Sequence, residues 1–128
     1  MTIQNTTSLP INVESDQKGI NFDNTSGTAQ DLWIPATDKR ILLNDVVVSV
    51  INKQAATYII VAVQVFIGGS WETLLPVAVG ALSSQNFAHN FGGRIYSAKG
   101  DGTARMRVVK QGNSTSWESM VVVTGNEQ

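Results

Sequence analysis

With 128 residues the chain has the length of one ordinary domain, enough to bury a core without covalent staples. Only 15% of its residues are charged, and the nine basic and ten acidic side chains nearly cancel, which excludes the basic footprint of a nucleic-acid binder. It has no cysteine, which excludes disulfides, thiolate metal sites and a cysteine nucleophile together.

In chain order, the opening Met1-Thr2-Ile3-Gln4-Asn5 lacks the basic cluster and apolar run of a secretion signal. Small secreted domains often lean on disulfides, so the lack of cysteine favours maturation in a reducing cytoplasm. Residues 1–30 are rich in Thr, Ser, Asn and Gly, and their apolar side chains are sparse. Ile11 and Val13 alternate, as do Ile20 and Phe22, so short edge strands are possible. Such a segment buries little apolar surface of its own against the entropy of ordering it. Two expectations stay open: a loose tail, or an extended N-terminal arm that orders on a neighbouring subunit.

From residue 31 onward the pattern is strand after strand, and residues 31–128 are expected to form one β-sandwich domain. Asp31-Leu32-Trp33-Ile34 is a candidate strand stopped by Pro35. Arg40 to Ile51 is apolar and β-branched, with an expected break at Asn44-Asp45, and Asn52-Lys53-Gln54 supplies a turn. Tyr58 to Ile67 is almost unbroken hydrophobic sequence. A membrane-spanning helix needs about 20 apolar residues, and the polar residues 52–54 leave each run too short, so no membrane partner is expected. Gly68-Gly69 signals a hairpin, and Trp71 to Val79 is its return strand. Pro76 cannot donate to a ladder, which places it at an edge or a bulge. Gly80 to Asn90 is expected to be a polar connection. Strands follow at Arg94 to Ser97, Thr103 to Lys110 and Ser116 to Thr124, with turns at Lys99-Gly100-Asp101-Gly102 and Gln111-Gly112-Asn113-Ser114. About eight strands at this spacing predict an all-β, antiparallel sandwich of jelly-roll type.

One strand departs from the usual pattern. An antiparallel strand with one face in water alternates apolar and polar residues, but Tyr58 to Ile67 does not, and Val121-Val122-Val123 is apolar on both faces. The expectation is a second buried surface between subunits, with Ile60, Ala62 and Gln64 on the contact face and Ile59, Val61, Val63 and Val65 toward the core. The opposite assignment of faces is equally compatible with the sequence.

Residues for chemistry are few. His89 is the one histidine; no Gly-x-Ser-x-Gly elbow accompanies it, and a triad needs a nucleophile and an orienting acid. One histidine cannot supply a zinc site. Asp101 and Asp23-Asn24 read as turn chemistry rather than calcium ligands. Glu14, Glu72, Glu118 and Glu127 are few and two lie near the termini, but a carboxylate pair meets only in three dimensions, so that alternative stays open. Arg105 and Arg107 share a strand face and read as solvated or interface cations, or alternatively as a phosphate-tracking stripe. Trp33, Trp71 and Trp117 could fill a core or subunit contact, or form a stacking platform for sugar rings. No enzyme activity and no cofactor are expected.

This charge-poor, cysteine-free plan resembles the small structural proteins of tailed-phage virions, above all capsid decoration or cement proteins. The resemblance is carried by the 1–30 arm and by the run Asn90-Phe91-Gly92-Gly93-Arg94-Ile95-Tyr96-Ser97 through Val121-Val122-Val123. It implies a jelly-roll homo-oligomer, a trimer, made in the host cytoplasm. The trimer would dock on the outside of a phage shell and stabilise it. The partners would be other copies of the chain and the shell's capsid protein, with Ile11, Val13, Ile20 and Phe22 of the arm seated in neighbouring grooves. Three alternatives remain: a phage tail or fibre β-domain, a carbohydrate-binding module or lectin, and a small hydrolase on a β scaffold.

Overall fold

The computed structural model describes residues 15–128. Eight strands run through them: β1 (Asp16–Asp23), β2 (Ala29–Trp33), β3 (Ile41–Asn52), β4 (Ile59–Ile67), β5 (Ser70–Val79), β6 (Ser84–Tyr96), β7 (Met106–Gly112) and β8 (Trp117–Glu127). They form two antiparallel four-stranded sheets, one ordered β1-β8-β3-β6 and the other β2-β7-β4-β5. Every connection except the β4–β5 hairpin passes from one sheet to the other. That is the wiring of an eight-stranded jelly roll.

The period-two rule of a strand decides what fills the space between the sheets. On β4 the odd residues Ile59, Val61, Val63 and Val65 point inward and are fully buried. On β8 the inward set is Trp117, Ser119, Val121 and Val123. On β3 it is Ile41 and Leu43, then Val46, Val48 and Val50. The change of parity on β3 comes from a register shift between Leu43 and Asp45. Asn44-Asp45, expected as a break, is therefore a bulge in one continuous strand, which keeps apolar residues inward on both sides of it. Each fully buried Val or Ile contributes roughly 1.5–3 kcal/mol relative to exposure.

The two glycines of the hairpin adopt φ of 59° and 89°, at Gly68 and Gly69, a conformation other residues resist. Pro76 lies on β5, an edge strand, beside a register shift opposite Val63 and Gln64. Among the described residues no helix is long and apolar enough to cross a membrane.

Two segments differ from the sequence expectation. Residues 16–23, assigned to the arm, form β1 and pair along their whole length with β8. Phe22 is seated in this chain's own core, 5.1 Å edge-to-face from Trp117, and the Phe22 carbonyl accepts a 2.6 Å bond from Ser119 Oγ. Ile20 packs half-buried against the same core. The sandwich thus begins by Asp16 rather than at residue 31. Ile11 and Val13 lie outside the described residues. The second difference is Gly80 to Asn90: its residues from Ser84 on belong to β6, paired with β3.

Candidate functional site

Among the described residues, one cleft brings together Asp23 and Glu118 with Ser49 and Ser119, but Asp23 is tied to the Thr25 amide and hydroxyl and Glu118 to Lys53. His89 stands on β6, exposed, with its imidazole edge-on to Phe91 at a centroid distance of 4.6 Å. No carboxylate is hydrogen-bonded to it among the described residues. Glu72 accepts from Ser70 Oγ at 2.7 Å, and Glu118 pairs with Lys53. Glu127 accepts from Trp33 Nε1 at 2.9 Å and from the Ala36 amide at 2.8 Å. Burial alone would raise the Glu127 pKa, but the two donated hydrogen bonds and nearby Lys18 and Lys39 outweigh it and hold the carboxyl below its ordinary value. Asp23 and Asp101 are also held low, each chiefly by the hydroxyl and amide of a threonine two residues on, as capped turns require. Among the described residues no group of three His, Asp or Glu side chains converges to hold a metal ion.

The tryptophans do not form a platform. Trp33 and Trp117 are each 1% exposed inside the sandwich, so neither indole can meet a sugar. Alternation turns Glu118 outward while its neighbour Trp117 turns in. Only Trp71 reaches the surface, and the guanidinium of Arg107 lies 4.2 Å from its ring centroid.

That pair belongs to the outward face of the β2-β7-β4-β5 sheet, which has two halves. In one half, Phe66 and Trp71 meet edge-on at 5.3 Å, with Arg105 over Phe66 at 4.8 Å and Arg107 over Trp71. Both arginines are held by hydrogen bonds. Arg107 Nε donates to Gln64 Oε1 at 2.8 Å, and Gln64 Nε2 donates to Thr73 Oγ1 at 3.1 Å. Arg105 Nε donates to the Lys99 carbonyl at 2.9 Å, and its Nη2 lies 3.1 Å from Asp101 Oδ2. Paired in this way, the two cations do not form a free phosphate-binding stripe.

The other half is apolar. The outward side chains of β4 are the even residues, Ile60 and Ala62, continuing to Gln64. Register places Ala78 and Pro76 opposite Ile60 and Ala62 on one side, and Val109 opposite Ala62 on the other. Ile60, Ala62, Pro76 and Val109, together with Gln64, Thr73 and Gln111, line a shallow depression. β4 is therefore apolar on both faces: one face is the core, and the other is a flat patch of small side chains bordered by fixed arginine and glutamine groups. Sequence reasoning singled out this strand from its missing alternation, and Trp71 from its type. It missed the Arg107–Trp71 stack, which joins side chains 36 residues apart in sequence and leaves no local signal.

No protein-family model matches the chain, and no curated protein is detectably similar to it in sequence. Several solved structures are similar in shape. A chain of the naturally occurring empty particles of cowpea mosaic virus is 10% identical with a TM-score of 0.41, over 90% of this chain and 76% of that one. A chain of the empty virus-like particle of the same virus is 11% identical with a TM-score of 0.41, over 90% and 74%. A chain of Bacillus endospore appendages, described as disulfide-linked pili, is 10% identical with a TM-score of 0.37, over 88% and 87%.

Proposed function

We propose that this protein is a virion structural subunit, a decoration protein that associates with itself and docks on the outside of a phage shell to stabilise it. The observation that supports this reading is the outward face of β4. Ile60, Ala62, Pro76, Ala78 and Val109 make an apolar patch on a domain whose described residues hold no cluster of metal-ligating side chains. A patch of this kind, rimmed by polar groups, is what a subunit contact requires. The contact joins copies into a trimer, with Ile60, Ala62 and Gln64 at its centre, and residues 1–14, including Ile11 and Val13, reach the shell protein. Many weak contacts repeated over a symmetric shell then act multivalently.

Light scattering behind a sizing column tests the self-association. The wild-type chain should elute at three times its monomer mass or a multiple of that, and Ile60→Glu, which sets a charge on the outward face and leaves the core untouched, should elute at one third of the wild-type mass. Wild-type and variant of equal mass would refute the assignment of this face. Proteomics of density-banded particles from the source culture tests the location. Stoichiometric recovery with the particles supports the reading, and recovery only in the soluble fraction refutes it.

A further inference from the structure

A second contact is built into the edge of the other sheet. Unpaired edges template the addition of further strands, and proteins blunt them with charge, proline, bulges or short length. Three of the four edges here are blunted. Strand β1 carries Asp16, Lys18 and Asp23. Strand β2 has five residues and a register shift between Asp31 and Trp33. Strand β5 carries Pro76 and a bulge.

The β6 edge has no such device over Ser84-Gln85-Asn86-Phe87-Ala88-His89-Asn90. This run contains no Asp, Glu, Lys, Arg, Pro or Gly, and it pairs one-to-one with Ile51 back to Asp45 without a shift. All seven residues are exposed. Cross-strand bonds hold the run flat on β3: Ser49 Oγ to Asn86 Oδ1 at 2.9 Å, and Asn90 Nδ2 to Asp45 Oδ1 at 2.7 Å. Among the described residues, no backbone group of this run bonds anything beyond the β3 ladder. Phe87 lies opposite Val48 and so projects on the core side of the sheet, yet it is 49% exposed.

We propose that two copies of the chain pair antiparallel along this edge, about a two-fold axis at Phe87, and join their sheets into one of eight strands. The argument for a second copy is self-complementarity. Phe87 is the middle residue of the run, so the two-fold axis sets Ser84 opposite Asn90, Gln85 opposite His89 and Asn86 opposite Ala88. No formally charged carboxylate, ammonium or guanidinium group meets its own kind across the axis, and the two half-exposed Phe87 rings cover each other. A cross-strand aromatic pair is among the favourable pairings of a sheet. An isologous contact of this kind closes after two copies and removes the open edge. It uses residues remote from Ile60 and stands whether or not the shell-docking reading is right.

The test uses the absence of cysteine from the chain. Directly opposed residues in an antiparallel pair have Cα atoms about 4.5–5.5 Å apart, inside the range of about 4.4–6.8 Å that a disulfide spans. Under a mild oxidant Phe87→Cys should convert to a covalent dimer. Asn21→Cys, in the middle of the blunted β1 edge, should do so about tenfold more slowly or less, because pairing raises the effective thiol concentration. Repeating this in the Ile60→Glu background separates the edge contact from the sheet-face contact. Hydrogen exchange on the wild-type chain gives a measurement without mutation: alternate amides of residues 84–90 should gain protection as concentration rises. Cross-linking of Phe87→Cys no faster than Asn21→Cys, or exchange at residues 84–90 independent of concentration, would overturn the proposal.

Discussion

Asn52, at the end of β3, is 1% exposed and its amide ties together three loops. Its Nδ2 donates to the Gly80 carbonyl at 3.1 Å and to the Thr57 carbonyl at 3.3 Å. Its Oδ1 accepts from Ser114 Oγ at 2.8 Å and from the Gln54 amide at 3.2 Å. Asn52→Ala removes these four, along with two longer contacts to the Thr57 hydroxyl at 3.3 and 3.5 Å. Each such bond contributes a net 1 kcal/mol or so, and a buried group left without a partner costs about 1–3 kcal/mol. Relief is available at two places: Ser114 Oγ can donate instead to the Ser116 carbonyl at 3.2 Å, and Gly80 is exposed enough for water to reach. The expected loss is therefore about 3 kcal/mol rather than the full sum of four bonds and their orphans. Against a total of about 5–15 kcal/mol for a domain, that is a large fraction. Equilibrium urea unfolding, followed by tryptophan fluorescence, measures it as a lower midpoint at unchanged slope. A loss under about 1 kcal/mol would refute the reasoning, since it would show that the loops hold their positions without the amide.

Two further predictions concern stability. Glu127→Ala should destabilise the fold at neutral pH by leaving the buried Trp33 N–H without its acceptor. Because the folded state holds this carboxyl below its ordinary value of 4.5, its ionised form favours folding. The contribution is full above the ordinary carboxylate range and is lost as pH falls through the folded-state value. The stability gap between wild-type and variant, from urea titrations at several pH values, should narrow on acidification; a constant gap would contradict it. Gly112→Ala should be harsher than its size suggests. Gly112 sits at φ 110°, and a Cβ there would meet the Tyr58 carbonyl oxygen at 2.5 Å. A left-handed backbone position costs a non-glycine residue about 1–2 kcal/mol before any clash, so thermal unfolding should fall by several degrees, and an unchanged midpoint would refute the assignment.

The sequence made some elements plain and hid others, for identifiable reasons. The β3 and β4 strands were legible because both lie inside a sheet and are crowded with β-branched residues. Gly68-Gly69 and Pro76 were legible because backbone chemistry confines such residues to turns, edges and bulges. Strand β6 was hidden because its inward positions near the open edge are Gln85, Phe87 and His89, and an uncovered edge does not demand an apolar series. Strand β1 was legible only as a possible short edge strand, from the alternation of Ile20 and Phe22, because only those two side chains reach the core from it. The apolar outward face of β4 could be inferred from its missing alternation, but which parity faces the core depends on the register with β5 and β7. The burial of Trp33 could not be read locally, since its N–H finds Glu127 at a separation of 94 residues.

The pairing of β1 with β8 also constrains how the chain acquires its shape. Sheet β1-β8-β3-β6 places the eighth strand between the first and the third. Neither β1 nor β3 can complete its ladder until residues 117–127 have been synthesised. Until then Phe22, Val46 and Val48 lack the strand that covers them, and the nascent chain carries exposed β-branched surface on the ribosome. Folding through such distant contacts is slow compared with helical domains, and incomplete sheets are the species that aggregate. Overproduction should therefore be limited by capture of unfinished chains, and lower expression temperature or chaperone supply should raise the yield of folded protein more than any change to its surface.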